Sequence, residues 1–315
     1  NRLGYSDSLA EQAATLFYDA EKGLGMNIAR YNIGGGDDPT HDHITRTDSE
    51  VPGFLYYNEE NGKFEYDIKA DSNQRNVLLR AMKAAGDEFI AEAFANSPPY
   101  FMTVSGCTSG SKDAISNNLK EDCFDDFAEY LAEVALIYKN EYGVDFQSIS
   151  AMNEPMTNYW KANSPKQEGC HFDAGETQST MFIELNKALV KRGLEDILVV
   201  ASDETSIDSQ IQAFKRLSDE AKAVVARIDT HTYGGSQRKQ LRELAVTSGK
   251  NLWMSEVDSG NTIGGAAAGE MGAALYFARS IIDDMNGLLP SAWIMWQAID
   301  NHVCAEGYNG NKDSG

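Results

Sequence analysis

The sequence predicts an α/β chain of the (β/α)8 TIM-barrel class, with one catalytic domain over residues 1–315. Three observations predict it. Short apolar runs alternate with amphipathic stretches along the whole chain. The amphipathic stretches stop on glycines, as helices do where the backbone turns through a left-handed residue. Two apolar runs, Ala151–Met152–Asn153–Glu154–Pro155 and Leu252–Trp253–Met254–Ser255–Glu256–Val257–Asp258, end on glutamate.

A helical pattern over residues 9–22 comes first, and the strand MNIARYNI (26–33) follows it. Residues 72–85 read as a helix stopped by Gly86, and EFIAEAFA (88–95) as the next strand. In the clearest helix Phe124, Phe127, Leu131, Val134 and Tyr138 share one face. Asp125 and Asp126 suit the positive end of its dipole, and Gly143 suits its stop. DFQSISAM (145–152) is a strand, residues 182–192 form a helix before Gly193, and ILVVAS (197–202) is the next strand. RIDTHTY (227–233), NLWMS (251–255) and AWIMWQ (292–297) complete seven strands. A closed barrel has eight, and here a helix precedes the first, so a first strand is expected upstream of Asn1. A seven-stranded doubly wound sheet is the alternative. It lacks its phosphate turn, because Gly34–Gly35–Gly36 leads into Asp37–Asp38–Pro39, which is acidic and no helix start.

Composition narrows the function. Lys and Arg number 27 against 48 Asp and Glu, a net charge of −21 over 315 residues. Such a chain repels nucleic acid and anionic lipid, and disfavours polyanionic substrates. No apolar run is long enough to insert in a membrane. Cys107, Cys123, Cys170 and Cys304 lack CxxC spacing. His41–Asp42–His43 has no third ligand nearby in sequence and reads as a surface segment, so no metal and no cofactor is expected. The chain opens on Asn1 without a visible signal peptide and reads as a trimmed or fragmentary piece.

In a barrel the active site gathers at the C-terminal ends of the strands. Those ends carry Arg30, Asn32, Asn96, Asn153, Glu154, Asp203, Glu204, His231, Tyr233, Glu256 and Trp296. Two carboxylates, several amides and aromatic faces suit a neutral sugar. For a double displacement the carboxyls stand about 5–5.5 Å apart, one as acid/base and one as nucleophile. Glu154 fits the first role and Glu256 the second, with Asn153 bound to the sugar 2-hydroxyl. Arg30 and Tyr233 are candidates to keep Glu256 ionised. Each has a plainer reading. Arg30 could form a structural ion pair, His231 could be a satisfied core histidine, and Trp296 could be packing rather than a sugar platform.

These pieces resemble glycoside hydrolase family 30, a clan A family of retaining β-glycosidases on (β/α)8 barrels. The resemblance rests on residues 30–35, 96–102, 153–155, 202–204, 231–233, 253–256 and 293–297, in the family's order. Residues 167–173 (QEGCHFD), shortly after Trp160, and 71–76 (DSNQRN) are similar to the endo-β-1,6-galactanase subfamily. The resemblance implies cleavage of β-1,6-linked galactan, such as arabinogalactan side chains, with retention and without a metal. It also implies that Trp160, Glu168 and His171 shape the subsites, and that the enzyme is secreted or held at the cell surface. The family's tryptophan-rich first strand and its flanking β-domain are not found, so a fragment of a longer enzyme is expected. A xylanase, glucuronoxylanase or β-1,6-glucanase of the same family is an alternative. So is a truncated barrel that binds carbohydrate without cutting it.

Overall fold

The computed structural model describes residues 2–45, 49, 51–258 and 271–298. Helix α1 (Asp7–Tyr18) and strand β1 (Ile28–Asn32) open the chain, and a hairpin of β2 (Leu55–Asn58) and β3 (Lys63–Tyr66) follows. Then come α2 (Ser72–Ala85), β4 (Ile90–Phe94), α3 (Phe124–Tyr142), β5 (Phe146–Ser150), α4 (Glu176–Lys191) and β6 (Leu198–Ser206). The chain continues through α5 (Ile207–Arg216), α6 (Asp219–Val224), β7 (Val225–Gly234), α7 (Arg238–Thr247), β8 (Asn251–Val257), α8 (Met271–Gly287) and β9 (Ala292–Met295).

Two compact units divide these elements: Asn1–Val200 with Arg216–Val225, and Ala201–Lys215 with Ala226–Gly315. In the first, β1, β4, β5 and the start of β6 pair in parallel, with Ile28 opposite Ile90, Ala91 opposite Phe146 and Ser148 opposite Leu198. In the second, β7, β8 and β9 do the same, with Arg227 opposite Asn251 and Trp253 opposite Ala292. Within each unit, neighbouring strands follow chain order with helices between them. The fold is the (β/α) TIM-barrel class that the sequence predicts.

Local chemistry explains the element ends. Ser6 caps α1 by accepting the Leu9 N–H at 3.3 Å. The helix stops at Tyr18, short of the expected 22, because the Asp19 carboxylate accepts the N–H of Glu21 and of Lys22, each at 2.9 Å. Gly143 ends α3 in the left-handed region at φ +67°, its N–H bound to the Tyr138 carbonyl. The face of α3 formed by Phe127, Leu131, Val134 and Tyr138 is wholly buried. Each such side chain contributes about 1.5–3 kcal/mol.

Candidate active site

Glu154 lies just past β5, in the first unit, on a backbone bent to φ +49°. For a residue with a side chain that conformation costs on the order of 1–3 kcal/mol and persists only where neighbours enforce it. Here three donors converge on its main-chain carbonyl: the Trp160 indole Nε1–H at 2.9 Å, the Thr157 hydroxyl at 2.8 Å and the Thr157 N–H at 3.3 Å. The Tyr159 hydroxyl donates to its carboxylate Oε2. The side chain is therefore aimed from both ends, and only 7% of the residue is exposed.

Three amides end consecutive parallel strands of this unit. Asn32 closes β1, Asn96 follows β4 and Asn153 follows β5. Among the described residues, their side-chain carbonyl oxygens are buried atoms that accept no hydrogen bond. Buried acceptors are normally satisfied, so three open ones at strand ends are free to take hydroxyl or N–H donors. Asn32 is fixed precisely. The Gln74 side chain donates to its carbonyl and accepts its N–H, both at 2.9 Å, while also donating to Asp71 Oδ2. Asp71 accepts the Tyr31 hydroxyl as well, at 2.6 Å.

Arg30 forms a buried ion pair with Glu92. Its Nε meets Glu92 Oε1 at 3.0 Å, and its guanidinium lies 4.1 Å over the Phe94 ring. Ser148 donates to the other Glu92 oxygen at 2.7 Å.

Glu168 is fully buried and accepts the N–H groups of Gly35 at 3.3 Å and Gly36 at 3.1 Å. The glycine turn after β1 thus directs its N–H groups at a carboxyl supplied by the chain itself. Burial pushes the Glu168 carboxyl up to about 8, against the pull of those two amides. Gly169 must be glycine because a Cβ there would meet the Trp160 ring at 2.0 Å. His171 bridges the Thr157 carbonyl at 3.0 Å and the Asp173 carboxylate at 3.2 Å. Trp160, Glu168 and His171 therefore stand behind the Glu154 turn and the glycine turn, with their polar atoms committed there.

In the second unit Glu256, at the end of β8, accepts the Tyr233 hydroxyl at 3.1 Å. His231 is fully buried, with Nδ1 3.8 Å from Glu256 and Nε2 3.6 Å from Asp203. Ser255 donates to Asp203 Oδ1 at 2.5 Å, and Asp203 sits at φ +55°. Glu204 is buried, and its main-chain N–H and that of Ser202 both point at the Gln210 side-chain oxygen Oε1. Asp284 accepts from Thr232 on β7, Arg238 on α7 and Trp293 on β9 at 2.8–3.0 Å, pinning those elements. Trp296 follows β9, half-buried, its N–H bound to the Val257 carbonyl.

Sequence patterns gave no role to Tyr159, Gln74 or Ser255. Tyr159 had a usable signal, an aromatic a few residues past Glu154 in a polar loop. Gln74 and Ser255 lie inside the segments 71–76 and 253–256, but their contacts with Asn32 and Asp203 span 42 and 52 residues.

The family described as O-glycosyl hydrolase family 30 matches residues 13–222. An endo-β-1,6-galactanase of Hypocrea rufa is 35% identical over 289 residues, covering 88% of this chain and 57% of that protein. An exo-β-1,6-galactobiohydrolase of Bifidobacterium longum subsp. longum is 25% identical over 370 residues, covering 94% of this chain and 24% of that protein. The chain thus spans little more than half of one curated relative and a quarter of the other. A conserved exported protein from Bacteroides fragilis shares the fold with a TM-score of 0.75 at 22% identity, over 95% of this chain and 68% of that one.

Proposed function

The chain belongs to O-glycosyl hydrolase family 30, and from that premise we propose that it cleaves β-1,6-linked galactan with retention of anomeric configuration. Glu256 attacks the anomeric carbon and forms a glycosyl ester, while Glu154 gives its proton to the departing glycosidic oxygen. Glu154 then takes a proton from water, which attacks the same carbon and frees Glu256. The three unsatisfied amide oxygens on Asn32, Asn96 and Asn153 carry this reading, because sugar hydroxyls are the donors they lack. His231 and Tyr233 orient Glu256, Asp203 and Glu204 buttress that side, and Trp296 offers an apolar face to the ring. The galactan assignment draws on the two β-1,6-galactan-active relatives and on the loop around Glu168 and His171.

The double displacement as drawn calls on no cofactor, and its partner is a polysaccharide or oligosaccharide substrate. A net charge of −21 disfavours nucleic acid. A polymeric glycan substrate suits secretion or display at the cell surface. Among the described residues no helix is long and apolar enough to cross a membrane.

The test is product release from β-1,6-galactan, glucuronoxylan and β-1,6-glucan by the parent, Glu154→Gln and Glu256→Gln. Galactose oligomers whose first-formed anomer is β by proton NMR, absent in both variants, are expected. Activity on another glycan alone would overturn the substrate. Binding without release of reducing ends would overturn the hydrolase reading for this chain.

A further inference from the structure

The loops after β1 and β4 bring together four side chains that the sequence scatters. Asp37, His41, His43 and Cys107 each offer one ligand atom, and those atoms all lie within 4.8 Å of one another. His41 Nδ1 and His43 Nε2 stand 3.3 and 3.4 Å from Asp37 Oδ2, and Cys107 Sγ stands 3.3 Å from His43 Nε2. Tetrahedral zinc, with bonds of about 2.0–2.3 Å, places its ligand atoms about 3.3–3.7 Å from one another. We propose that Asp37, His41, His43 and Cys107 form a structural zinc site that ties the loop after β1 to the loop after β4.

Polar atoms crowd His43 Nε2 closely: Asp37 Oδ2, Cys107 Sγ and, at 3.2 Å, the Ser109 oxygen. Ser109 donates to the Lys161 carbonyl at 3.0 Å and lies 3.2 Å from Cys107 Sγ, so the ligand atoms are packed to the spacing a small cation needs.

The surroundings fit ligands held in place. The second Asp37 oxygen accepts the Thr108 N–H at 3.0 Å, and the Asn163 N–H points at Cys107 Sγ from 3.4 Å. Two nitrogens, one sulfur and one oxygen suit zinc, whereas calcium and magnesium take oxygen alone. Four protein ligands leave no open position, which is the structural rather than the catalytic type. His41 remains partly exposed while Cys107 is buried, which gives an ion a way in. Binding replaces the Cys107 thiol proton with the metal and releases that proton.

The experiment is metal analysis and cobalt(II) titration of the whole chain, with Cys107→Ser and His41→Ala beside it. About one zinc per chain is expected in the parent and less in both variants. Cobalt should give intense visible bands and a sulfur-to-cobalt charge-transfer band, the latter absent in Cys107→Ser. A chelator should lower the melting temperature of the parent and leave that of the variants in place. A parent that takes up neither zinc nor cobalt would overturn the site, as would equal uptake in all three proteins. None of these readouts passes through glycan cleavage, so failure here leaves the hydrolase reading untouched.

Discussion

The Trp160 indole N–H donates to the main-chain carbonyl of Glu154 across 2.9 Å. It holds the proposed acid/base residue by its backbone, at the carbonyl whose direction is set by the left-handed turn. Replacing Trp160 with Phe keeps most of the packed ring and deletes the donor. The expected result is a fall in kcat of about tenfold with KM little changed, and a stability loss of about 1 kcal/mol by denaturant titration. An unchanged kcat would show that the two Thr157 donors suffice on their own.

Tyr233 presents its hydroxyl to Glu256 at 3.1 Å. A hydrogen bond to a charged group contributes about 1.5–3 kcal/mol, so Tyr233→Phe should lower kcat/KM by about 10- to 100-fold. The residue is 40% exposed, so folding should hardly change. A melting temperature that falls together with the activity would assign Tyr233 a packing role instead.

Gln74 takes the place of a neighbouring strand, engaging both main-chain groups of Asn32 with one amide. Gln74→Leu fills the space and leaves those groups and Asp71 short of partners. A destabilisation of about 1–3 kcal/mol is expected. Weaker substrate binding should accompany it, because the Asn32 oxygen loses its bearing. Gln74→Glu restores only an acceptor, so it should recover part of the Asn32 N–H bond and less of the stability.

The strands were legible because each is a short apolar run whose C-terminal end a barrel exposes, which carried Glu154, Glu256 and the three asparagines with it. Helices α2 and α3 were legible from one-sided apolar spacing and from Gly86 and Gly143 at their stops. The β2–β3 hairpin was not. Its Tyr56, Tyr57 and Phe64 are exposed, so no buried face imposes alternation. Its one signal is Asn61–Gly62, with Gly62 at φ +68°. The Arg30–Glu92 pair and the meeting of His43 with Cys107 span 62 and 64 residues. Contacts at that separation follow from strand order and loop path, which residue spacing does not encode.

Glu168 makes stability depend on pH in a direction opposite to the usual carboxylate. Its folded value of about 8 lies above its ordinary 4.5, because burial penalises the charge and Asp37 and Asp71 add to that penalty while the amides of Gly35 and Gly36 oppose it. The folded state therefore keeps a proton that the unfolded chain gives up. This contribution is fully present below about pH 4.5 and is lost as pH rises toward about 8. Every tenfold gain in proton affinity on folding corresponds to about 1.4 kcal/mol, so the whole change is on the order of a few kcal/mol. Glu168→Gln has no such proton. Its amide turns a donor toward one of the glycine N–H groups, a cost of about 1–3 kcal/mol that does not vary with pH. Denaturant titrations from acid to mildly alkaline pH should show the parent losing stability relative to Glu168→Gln across that window. Parallel curves would mean that the carboxyl's proton affinity does not change on folding, with the two amides cancelling the effect of burial.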